Sequence, residues 1–427
     1  MSGQEFNPFL TQNTLLLPEQ PIHDDFLDIM EKVFIWSSLF GVFGSRRCIS
    51  FLWCTLILGS LIIIEFLAVW KVIRALAGIA RDMSGNRSIT ARLAGTIFYS
   101  VAIFSLISAS KLCYYWRRNI SVVWAKVERS VGVKLPNDSN LKKRLHFVVG
   151  FMTFFSIFEH AVSILASVGL DCPPSLILKR YVLVSHGFIF MGQDYSEWFA
   201  MPLAIISTIA SMLWNFQDQL IVLISMGLTS RYYRLNECLA KTCALDKTQM
   251  DSDKQTEAVR VYTWRKIREA YVKQAMLVRK IDVALGGIII LSCSCNFYFI
   301  CLQMFLGFTQ GLSTDIITGI YYMISLAWLC IRVVSVVLAA ASVNTHSKIA
   351  VKYLYTYDTH CYNVEVERLQ DQLTKDYIAL SGMGFFYLNK TILLQMLGAI
   401  ITYELVLIQF DEQDVGDVQL GNITTNV

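Results

Sequence analysis

Long apolar stretches, each about as long as a bilayer-spanning helix, alternate along the chain with shorter polar segments. A transmembrane α-helix needs about 20 predominantly apolar residues. Seven stretches meet this requirement, at residues 51–70, 94–115, 147–169, 198–228, 284–309, 316–343 and 391–410. The fourth and the sixth exceed the required length, so we expect these helices to tilt or to project from the membrane. The pattern predicts an all-α membrane protein with seven transmembrane helices.

Basic residues are distributed unevenly between the segments that join these spans, and cytoplasmic segments hold the excess. With the N-terminus inside, the inner segments carry 28 Lys and Arg residues and the outer segments carry 7. The inner segments in this count are 1–50, 116–146, 229–283 and 344–390. The bias predicts a cytoplasmic N-terminus and an extracellular C-terminus, which is the reverse of a G-protein-coupled receptor.

Two of the inner segments have apolar residues at helical spacing within a charged sequence. We expect 229–283 to form a cytoplasmic helical extension and 344–390 to form cytoplasmic anchor helices that pack against it. The predicted organisation is then a cytoplasmic N-terminal segment, six transmembrane helices with a ligand pocket, the anchor, a pore-lining seventh helix and an extracellular tail. These parts cover residues 1–50, 51–343, 344–390, 391–410 and 411–427.

The composition agrees with a membrane protein and excludes several other classes. Hydrophobic residues make up 55% of the chain and charged residues 16%, with a mean hydropathy of +0.48. Soluble domains carry about 25% charged residues, and disordered chains combine low hydrophobicity with high charge. No Walker loop, His-Glu-x-x-His motif or nucleophile elbow occurs, and the 6 histidines are scattered. We predict no enzyme activity, no cofactor, no metal site and no nucleic-acid partner.

Ionisable side chains inside a span are functional candidates, because each costs about 2.5–3.5 kcal/mol on insertion scales. Glu159 and His160 lie side by side in the middle of the third predicted span. They offer charged and neutral hydrogen-bonding groups at one depth, so they suit either ligand contact or an interhelical pair that fixes packing. Arg332, in the sixth span, is expected to pair with an acid that the sequence does not identify.

The fourth span combines an acid with an indole. Asp218 follows Trp214 by about one helical turn, so the two share a face. A carboxylate accepts hydrogen bonds from sugar hydroxyls, and an indole packs on the apolar C–H face of a sugar. The pair therefore suits a sugar ligand, while the alternative for Asp218 is an acid that pairs helices in the inner half of the membrane.

The fifth and sixth spans add amide and aromatic side chains to this set. Asn296 and Gln303 are seven residues apart and share a helix face. A stripe at i, i+4, i+7 and i+11 spacing runs along the sixth span through Tyr321, Ser325, Trp328 and Arg332. Tyr322 and its neighbour Tyr321 suit membrane anchors when taken singly, but the combination predicts a pocket for a polar uncharged ligand. The candidate ligand-binding residues are Glu159, His160, Trp214, Asp218, Asn296, Gln303, Tyr321, Tyr322, Ser325 and Trp328.

The seventh span ends in the sequence TYELVLIQF, residues 402–410. A glutamine after an apolar run is unusual for a lipid-facing helix, but it suits a helix that lines a pore shared by several subunits. Gln409 would then form a polar ring near the outer mouth, and Leu405 with Val406 a hydrophobic constriction below it. The alternative is a buried helix whose glutamine bonds to a neighbouring helix. The candidate pore residues are Thr402, Tyr403, Leu405, Val406, Gln409 and Phe410.

This ending resembles the signature of insect gustatory receptors, in which Thr-Tyr is followed by five mostly apolar residues and Gln-Phe. Further segments resemble the sugar-receptor branch of that family, from the first span onward. They are FEHAVS at 158–163, CPP at 172–174 and LWNFQDQLIVLISMGLTSRYYRLN at 213–236. The resemblance implies a tetrameric ligand-gated cation channel with a central pore lined by the last span, an outer ligand pocket in each subunit and a cytoplasmic anchor.

We therefore expect a sugar-gated, non-selective cation channel in the plasma membrane of taste neurons. Its partners would be a mono- or disaccharide, permeant cations and other subunits, in a homotetramer or in a heterotetramer with related receptors. Three alternatives stay open at this point. They are a seven-span receptor that does not conduct, an obligate co-receptor subunit that works only with a partner chain, and a transporter.

Overall fold

The structure, a computed structural model, describes residues 25–44, 48–79, 88–130, 135–189, 195–248, 254–310, 316–357 and 362–424. Within these ranges the protein is built from α-helices with short 3₁₀ or π turns, and it contains no β-strand beyond one isolated bridge. The α-helices are α1 Asp25–Ser37, α2 Cys48–Leu76, α3 Ile89–Tyr115, α4 Ser121–Arg129, α5 Leu141–Val168, α6 Ile177–Ser185, α7 Glu197–Thr248, α8 Lys254–Gln310, α9 Ile316–Tyr355, α10 Val364–Lys375 and α11 Thr391–Thr424.

Six helical segments in the described part are long and apolar enough to cross a membrane. They are Ile49–Leu76, Ile89–Arg129, Leu141–Val168, Glu197–Asp246, Glu257–Phe308 and Ile316–Tyr355. Each covers one of the first six predicted spans to within one residue. The seventh predicted span coincides with a shorter apolar helical segment, Thr391–Val406. The all-α, multi-pass membrane architecture is confirmed, while the count of seven and the orientation of the termini stay predictions.

The three longest helices extend far beyond their predicted spans. Helix α7 has 52 residues, α8 has 57 and α9 has 40. At a rise of about 1.5 Å per residue, α8 is about 86 Å long, which is more than twice the thickness of the hydrocarbon core of a bilayer, about 30 Å. We call the half of the bundle near the first residues of α7 and α9 the upper half, and the opposite half the lower half.

Helix α7 lies at the centre of the bundle, where it packs against α3, α5, α8 and α9. Residues 220–224 of α7 are each at most 4% exposed, so this stretch is surrounded on all sides. By contrast α2 lies at the periphery and leaves large apolar side chains such as Phe66 and Trp70 exposed. An apolar helix with so much exposed apolar surface suits contact with lipid.

In the lower half, α1 docks against the bundle through aromatic stacking. The centroid of the Phe26 ring lies 4.5 Å from that of the Trp124 ring, and the guanidinium of Arg231 on α7 lies 5.0 Å from the Trp124 centroid. Helix α10 packs against α8 and α9. Its Glu365 accepts a 2.7 Å hydrogen bond from Arg268 of α8, and this guanidinium lowers the pKa of the Glu365 carboxyl. These contacts hold the lower ends of the long helices together.

A tight turn joins α10 to α11 and is tied to α8. Asp282 of α8 accepts hydrogen bonds from the backbone N–H and the hydroxyl of Ser381, at 2.6 and 2.9 Å. Met383 and Gly384 have φ values of 51° and 82°, which close the turn. The turn approaches Gly286 so closely that a Cβ there would lie 3.0 Å from the backbone nitrogen of Met383. Helix α11 then leaves the turn and packs mainly against α8.

Candidate functional site

A cavity of about 460 Å³ lies in the upper half of the bundle, among α3, α5, α6, α7, α8 and α9. We call it the upper cavity. Seven of the ten predicted ligand-binding residues line it: Glu159, His160, Trp214, Gln303, Tyr321, Ser325 and Trp328. These residues come from the third to the sixth predicted spans. The second predicted span, in α3, adds Phe98 and Tyr99, so five spans bring polar and aromatic groups to one place.

Three polar side chains from different helices form a connected row on one wall. Gln303 of α8 donates a 3.0 Å hydrogen bond to the hydroxyl of Ser325 on α9, which in turn donates at 3.2 Å to Glu159 of α5. The side-chain oxygen of Gln303 is buried and has no partner within the described part of the chain. The wall can therefore accept a further hydrogen bond from a ligand hydroxyl.

Two histidines bond to hydroxyls on α7. The Nε2 atoms of His160 and His186 lie 3.0 Å from the hydroxyl oxygens of Thr208 and Ser207, respectively. His186 follows the last residue of α6, outside the six span-capable segments. Burial, with a smaller contribution from the nearby His160, lowers the pKa of His186 to about 4. His186 is therefore neutral at physiological pH, and its buried Nδ1 has no partner among the described residues.

An ion pair forms the floor of the upper cavity. Arg332 of α9 donates to Asp218 of α7 from Nε at 2.8 Å and from Nη2 at 2.5 Å, and these side chains are 1% and 0% exposed. Ser292 and Asn296 of α8 donate to the same carboxylate. Each buried charge is thus matched, which a buried ion pair needs in order not to destabilise the fold. The acid that pairs with Arg332 is Asp218.

Arg332 also reaches the cavity itself. Its guanidinium lies 4.5 Å from the centroid of the Trp214 ring, in cation–π contact, and both residues line the cavity. The indole N–H of Trp214 is buried without a partner within the described residues, so it remains a donor for a ligand. Arg332 therefore contacts the lining of the upper cavity, and its partner Asp218 is bonded to α8.

Three of the predicted ligand-binding residues do not line the cavity. Asp218 and Asn296 lie in the floor beneath it and bond to each other at 3.1 Å. The hydroxyl of Tyr322 donates a 3.0 Å bond to the backbone carbonyl of Gln303, and a Cβ at Gly307 would overlap the Tyr322 ring. The sequence predicted that these three residues bind the ligand, whereas in the structure they support the residues around the cavity and do not line it.

Several lining residues were missing from the sequence prediction. Tyr181 and His186 belong to or follow α6, which has only 9 residues and therefore gives no span-length hydropathy signal. Ser207 and Ser211 precede Asn215 on α7 by two turns and one turn, so the fourth span carries its own polar stripe that ends at Asp218. The spacing of that stripe could have indicated these lining residues from the sequence, whereas nothing in the sequence of α6 indicated Tyr181 or His186.

The predicted pore residues lie along α11 and face away from the rest of the chain. Tyr403, Leu405 and Val406 are between 43% and 57% exposed, and Thr402 and Gln409 are exposed as well. The side chain of Phe410 lies outside the described residues. Glu404 points the other way: it is 4% exposed, and neither carboxylate oxygen has a partner in the described part of the chain. The described residues contain no cluster of His, Cys, Asp and Glu that could hold a metal ion.

The sequence matches the family model described as trehalose receptor over residues 32–418. The gustatory receptor for sugar taste 64a of Drosophila melanogaster is 29% identical over 332 residues, which cover 74% of this chain and 69% of the relative. The gustatory receptor 5a for trehalose of Drosophila melanogaster is 30% identical over 297 residues, 68% of this chain and 63% of the relative. The chain thus spans about two thirds of the length of these relatives.

The fold is similar to the structure of the insect olfactory receptor OR5 from Machilis hrabei, with a TM-score of 0.64 at 13% identity. The similarity covers 91% of this chain and 100% of the olfactory receptor chain, and at this identity it shows the fold alone. The relatives in sequence are receptors and not enzymes. Because the family match covers most of the chain, the resemblance predicted from the sequence is confirmed: the protein belongs to the insect gustatory receptor family, in its sugar-receptor branch.

Proposed function

We propose that this gustatory receptor is a sugar-gated, non-selective cation channel in the plasma membrane of taste neurons. The observation that carries the proposal is the upper cavity, in which unpartnered donors and acceptors alternate with aromatic rings. The indole N–H of Trp214, the amide oxygen of Gln303 and Nδ1 of His186 are buried polar atoms that a ligand's hydroxyl groups would satisfy. The Trp214 and Trp328 rings offer flat apolar surfaces for sugar C–H groups.

The cavity favours an uncharged ligand. The one cation among its described lining residues, Arg332, is already neutralised by Asp218, and His186 is neutral, so an anionic ligand would find no free counter-charge there. The one acid in the same lining, Glu159, already accepts a hydrogen bond from Ser325. A volume of about 460 Å³ lies in the usual range of small-molecule sites. We infer a mono- or disaccharide, and the descriptions of the matched family and of one relative place trehalose first among those to test.

The side of the membrane follows from the distribution of basic residues. The described parts of the four segments that carry 28 Lys and Arg residues lie in the lower half of the bundle, and cytoplasmic segments hold such an excess. The upper half then faces the outside of the cell, where a sugar arrives, and the N-terminus lies in the cytoplasm. With α11 as the seventh span, the C-terminus is extracellular.

Ligand binding would be coupled to the pore through the floor of the cavity. A sugar against Trp214 contacts the residue on which Arg332 stacks, and Arg332 is bonded through Asp218 to Ser292 and Asn296 of α8. Helix α8 is the main packing partner of α11. A sugar opens the channel only if it binds the open arrangement of these helices more tightly than the closed one.

In this proposal four subunits place α11 around a central pore. The exposed face of α11, with Leu405 and Val406, then forms the constriction, and Gln409 forms a polar ring nearer the outer mouth. The tetramer is composed either of this chain alone or of this chain with related receptors.

The test is patch-clamp recording from cells that express this chain alone. A panel of disaccharides, monosaccharides and sugar alcohols is perfused, first on whole cells and then on excised patches without nucleotides. We expect a sugar-evoked cation current that survives excision. Currents that vanish on excision would contradict direct gating, and no current from a chain that reaches the cell surface would instead indicate a subunit that needs a partner.

A further inference from the structure

A second cavity, which we call the lower cavity, lies between α5, α7 and α9 in the lower half of the bundle. Its volume is about 470 Å³, close to that of the upper cavity. On α9 its first lining residue is Ala339, seven residues beyond Arg332, so the two cavities are about 10 Å apart along that helix. The layer of Asp218 and Arg332 separates them. None of the residues that line the lower cavity lines the upper one.

An ion pair with unused donors lies at the rim of the lower cavity. Asp138, just before α5, accepts hydrogen bonds from Arg144 at 2.5 Å and from Ser230 at 2.7 Å. The bond engages one terminal nitrogen of Arg144, whose side chain is 55% exposed. An arginine has five N–H donors in a planar fork, and a phosphate oxygen matches that geometry. Arg144 can therefore bind a phosphate group while it keeps Asp138.

Two polar atoms deeper in the lower cavity favour hydroxyl groups. Nδ1 of His346 lies 2.9 Å from the backbone carbonyl of Ser342, and because a carbonyl only accepts, Nδ1 is the donor. In the tautomer with a single proton on Nδ1, Nε2 accepts from a hydroxyl. The hydroxyl oxygen of Thr229 is buried and has no partner within the described part of the chain. A buried polar atom without a partner destabilises the fold unless a ligand or water bonds to it.

The surroundings of the lower cavity suit a lipid headgroup. Leu141, Met226 and Ala339 form an apolar part of its wall. The first turn of α5 carries three exposed basic residues in a row, Lys142, Lys143 and Arg144, at the end of a span-capable helix. Each basic residue directly beside a transmembrane helix adds about 1 kcal/mol of attraction to the anionic phospholipids of the cytoplasmic leaflet.

We propose that the lower cavity binds an inositol phosphodiester, with the phosphate on Arg144 and the ring hydroxyls on His346 and Thr229. Asp138 limits the charge of the ligand, since further phosphate groups on the ring would lie close to this carboxylate. The same chemistry occurs in phosphatidylinositol of the membrane and in soluble glycerophosphoinositol. The proposal takes its side of the membrane from the orientation given above, but it does not depend on sugar gating.

The test measures lipid retained by the full chain in phosphatidylcholine nanodiscs that contain a minor fraction of phosphatidylinositol. Native mass spectrometry counts phosphatidylinositol on the protein after transfer to detergent. We expect bound phosphatidylinositol on the wild type and about tenfold weaker retention for Arg144→Gln, which removes a charge-assisted bond. Ala339→Leu, which fills the cavity without a change of charge, is expected to lower retention as well.

Lys143→Gln is the matched control, because Lys143 is an exposed basic residue in the same turn that does not line the cavity. Its retention should change by about twofold at most, as for a surface charge. Equal losses from Lys143→Gln and Arg144→Gln would overturn the proposal in favour of general surface attraction. Equal retention by the wild type and both cavity variants would overturn it as well.

Thr229→Val covers the case in which Arg144→Gln fails to fold, because it keeps the side-chain shape and removes only the hydroxyl. We expect a severalfold loss of phosphatidylinositol with unchanged thermal stability, and unchanged retention would contradict the proposed contact. Competition by glycerophosphoinositol at equal concentration would support the headgroup chemistry and assign a soluble source. Retained lipid needs no ion current, so failure here and failure of sugar gating are separate results.

Discussion

The upper and lower halves of α7, α8 and α9 both bury polar side chains, but the two halves pair them differently. In the lower half the partners come from neighbouring helices: Tyr271 donates to Asn236 at 2.7 Å, and Trp264 donates to Asp246 at 2.9 Å. Around the upper cavity, Trp214 and Gln303 each leave a buried polar atom without a partner in the described part of the chain. We infer that the contacts around Tyr271 and Trp264 hold the helices together, while the buried atoms left without a partner at the two cavities, on Trp214 and Gln303 above and on Thr229 below, are available to a ligand.

The largest effect is expected between the two halves, at the floor of the upper cavity. Asp218→Leu leaves Arg332 as an unpaired buried charge and should destabilise the protein by about 3–5 kcal/mol. The double variant Asp218→Leu with Arg332→Met removes both charges and should recover most of that loss. Thermal unfolding followed by tryptophan fluorescence in detergent measures both. If the double variant is no more stable than the single one, the unpaired charge of Arg332 is not the cause of the lost stability.

The next effect concerns pH and the upper half. Burial lowers the pKa of His186 to about 4, below its value of about 6.5 in the unfolded chain. Between these values the unfolded chain binds a proton and the folded chain does not, so stability falls as the pH falls from about 6.5 to 4. We expect a loss of up to about 3 kcal/mol at pH 4. His186→Gln should remove this part of the pH dependence, and an unchanged profile would show that His186 does not cause it.

A matched pair of variants separates the two roles. Tyr271→Phe, in the lower half, leaves Asn236 short of a bond and should lower stability by about 1–2 kcal/mol with unchanged sugar potency. Gln303→Leu, in the upper half, should lower sugar potency by about tenfold while stability stays nearly constant, because it removes a half-paired buried amide. Sugar dose-response curves and thermal unfolding curves of both variants measure these two effects. A loss of potency in Tyr271→Phe together with a loss of stability in Gln303→Leu would contradict the separate roles of the two halves.

The smallest effect on stability is expected at the far end of α11. Gln409→Ala changes an exposed side chain, so the unfolding curve should shift by less than about 0.5 kcal/mol. In the proposed pore it should change ion selectivity or conductance and leave the sugar dose-dependence nearly intact. Reversal potentials in bi-ionic solutions measure the ion selectivity. Peak currents over a series of sugar concentrations measure the dose-dependence. A large shift in potency with unaltered permeation would place Gln409 outside the pore.

The sequence predicted the helices and most of the upper cavity because both follow from periodicity. The stripe of Tyr321, Ser325 and Trp328 lines the cavity since its spacing keeps these residues on one face of α9. Tyr322 follows Tyr321 by one residue, which turns its side chain by about 100° and away from the cavity. Asn296 shares a face with Gln303 but lies seven residues earlier on α8, about 10 Å below Gln303, at the level of Asp218.

Other features could not be predicted, because they depend on how separate helices pack. The sequence indicated that Arg332 needs an acid, but the choice of Asp218 requires the relative height of α7 and α9. His186 reaches the cavity only because α6 folds back between two spans, and a helix of 9 residues carries no span signal. The lower cavity had no signal either, since Asp138, Thr229 and His346 are far apart in the sequence.

The tie between Asp282 and Ser381 has a consequence for the diversification of taste. Along α8, Asp282 at the turn and Gln303 at the cavity wall are 21 residues apart, or about 32 Å. In the proposed function, one continuous stretch of α8 thus contacts the ligand at Gln303 and the turn that precedes α11 at Asp282. Substitutions around Gln303 can alter which molecule is tasted while the connection at Asp282 is inherited unchanged. On that proposal, taste preference can evolve by point mutation without a change in the connection between α8 and the turn before α11.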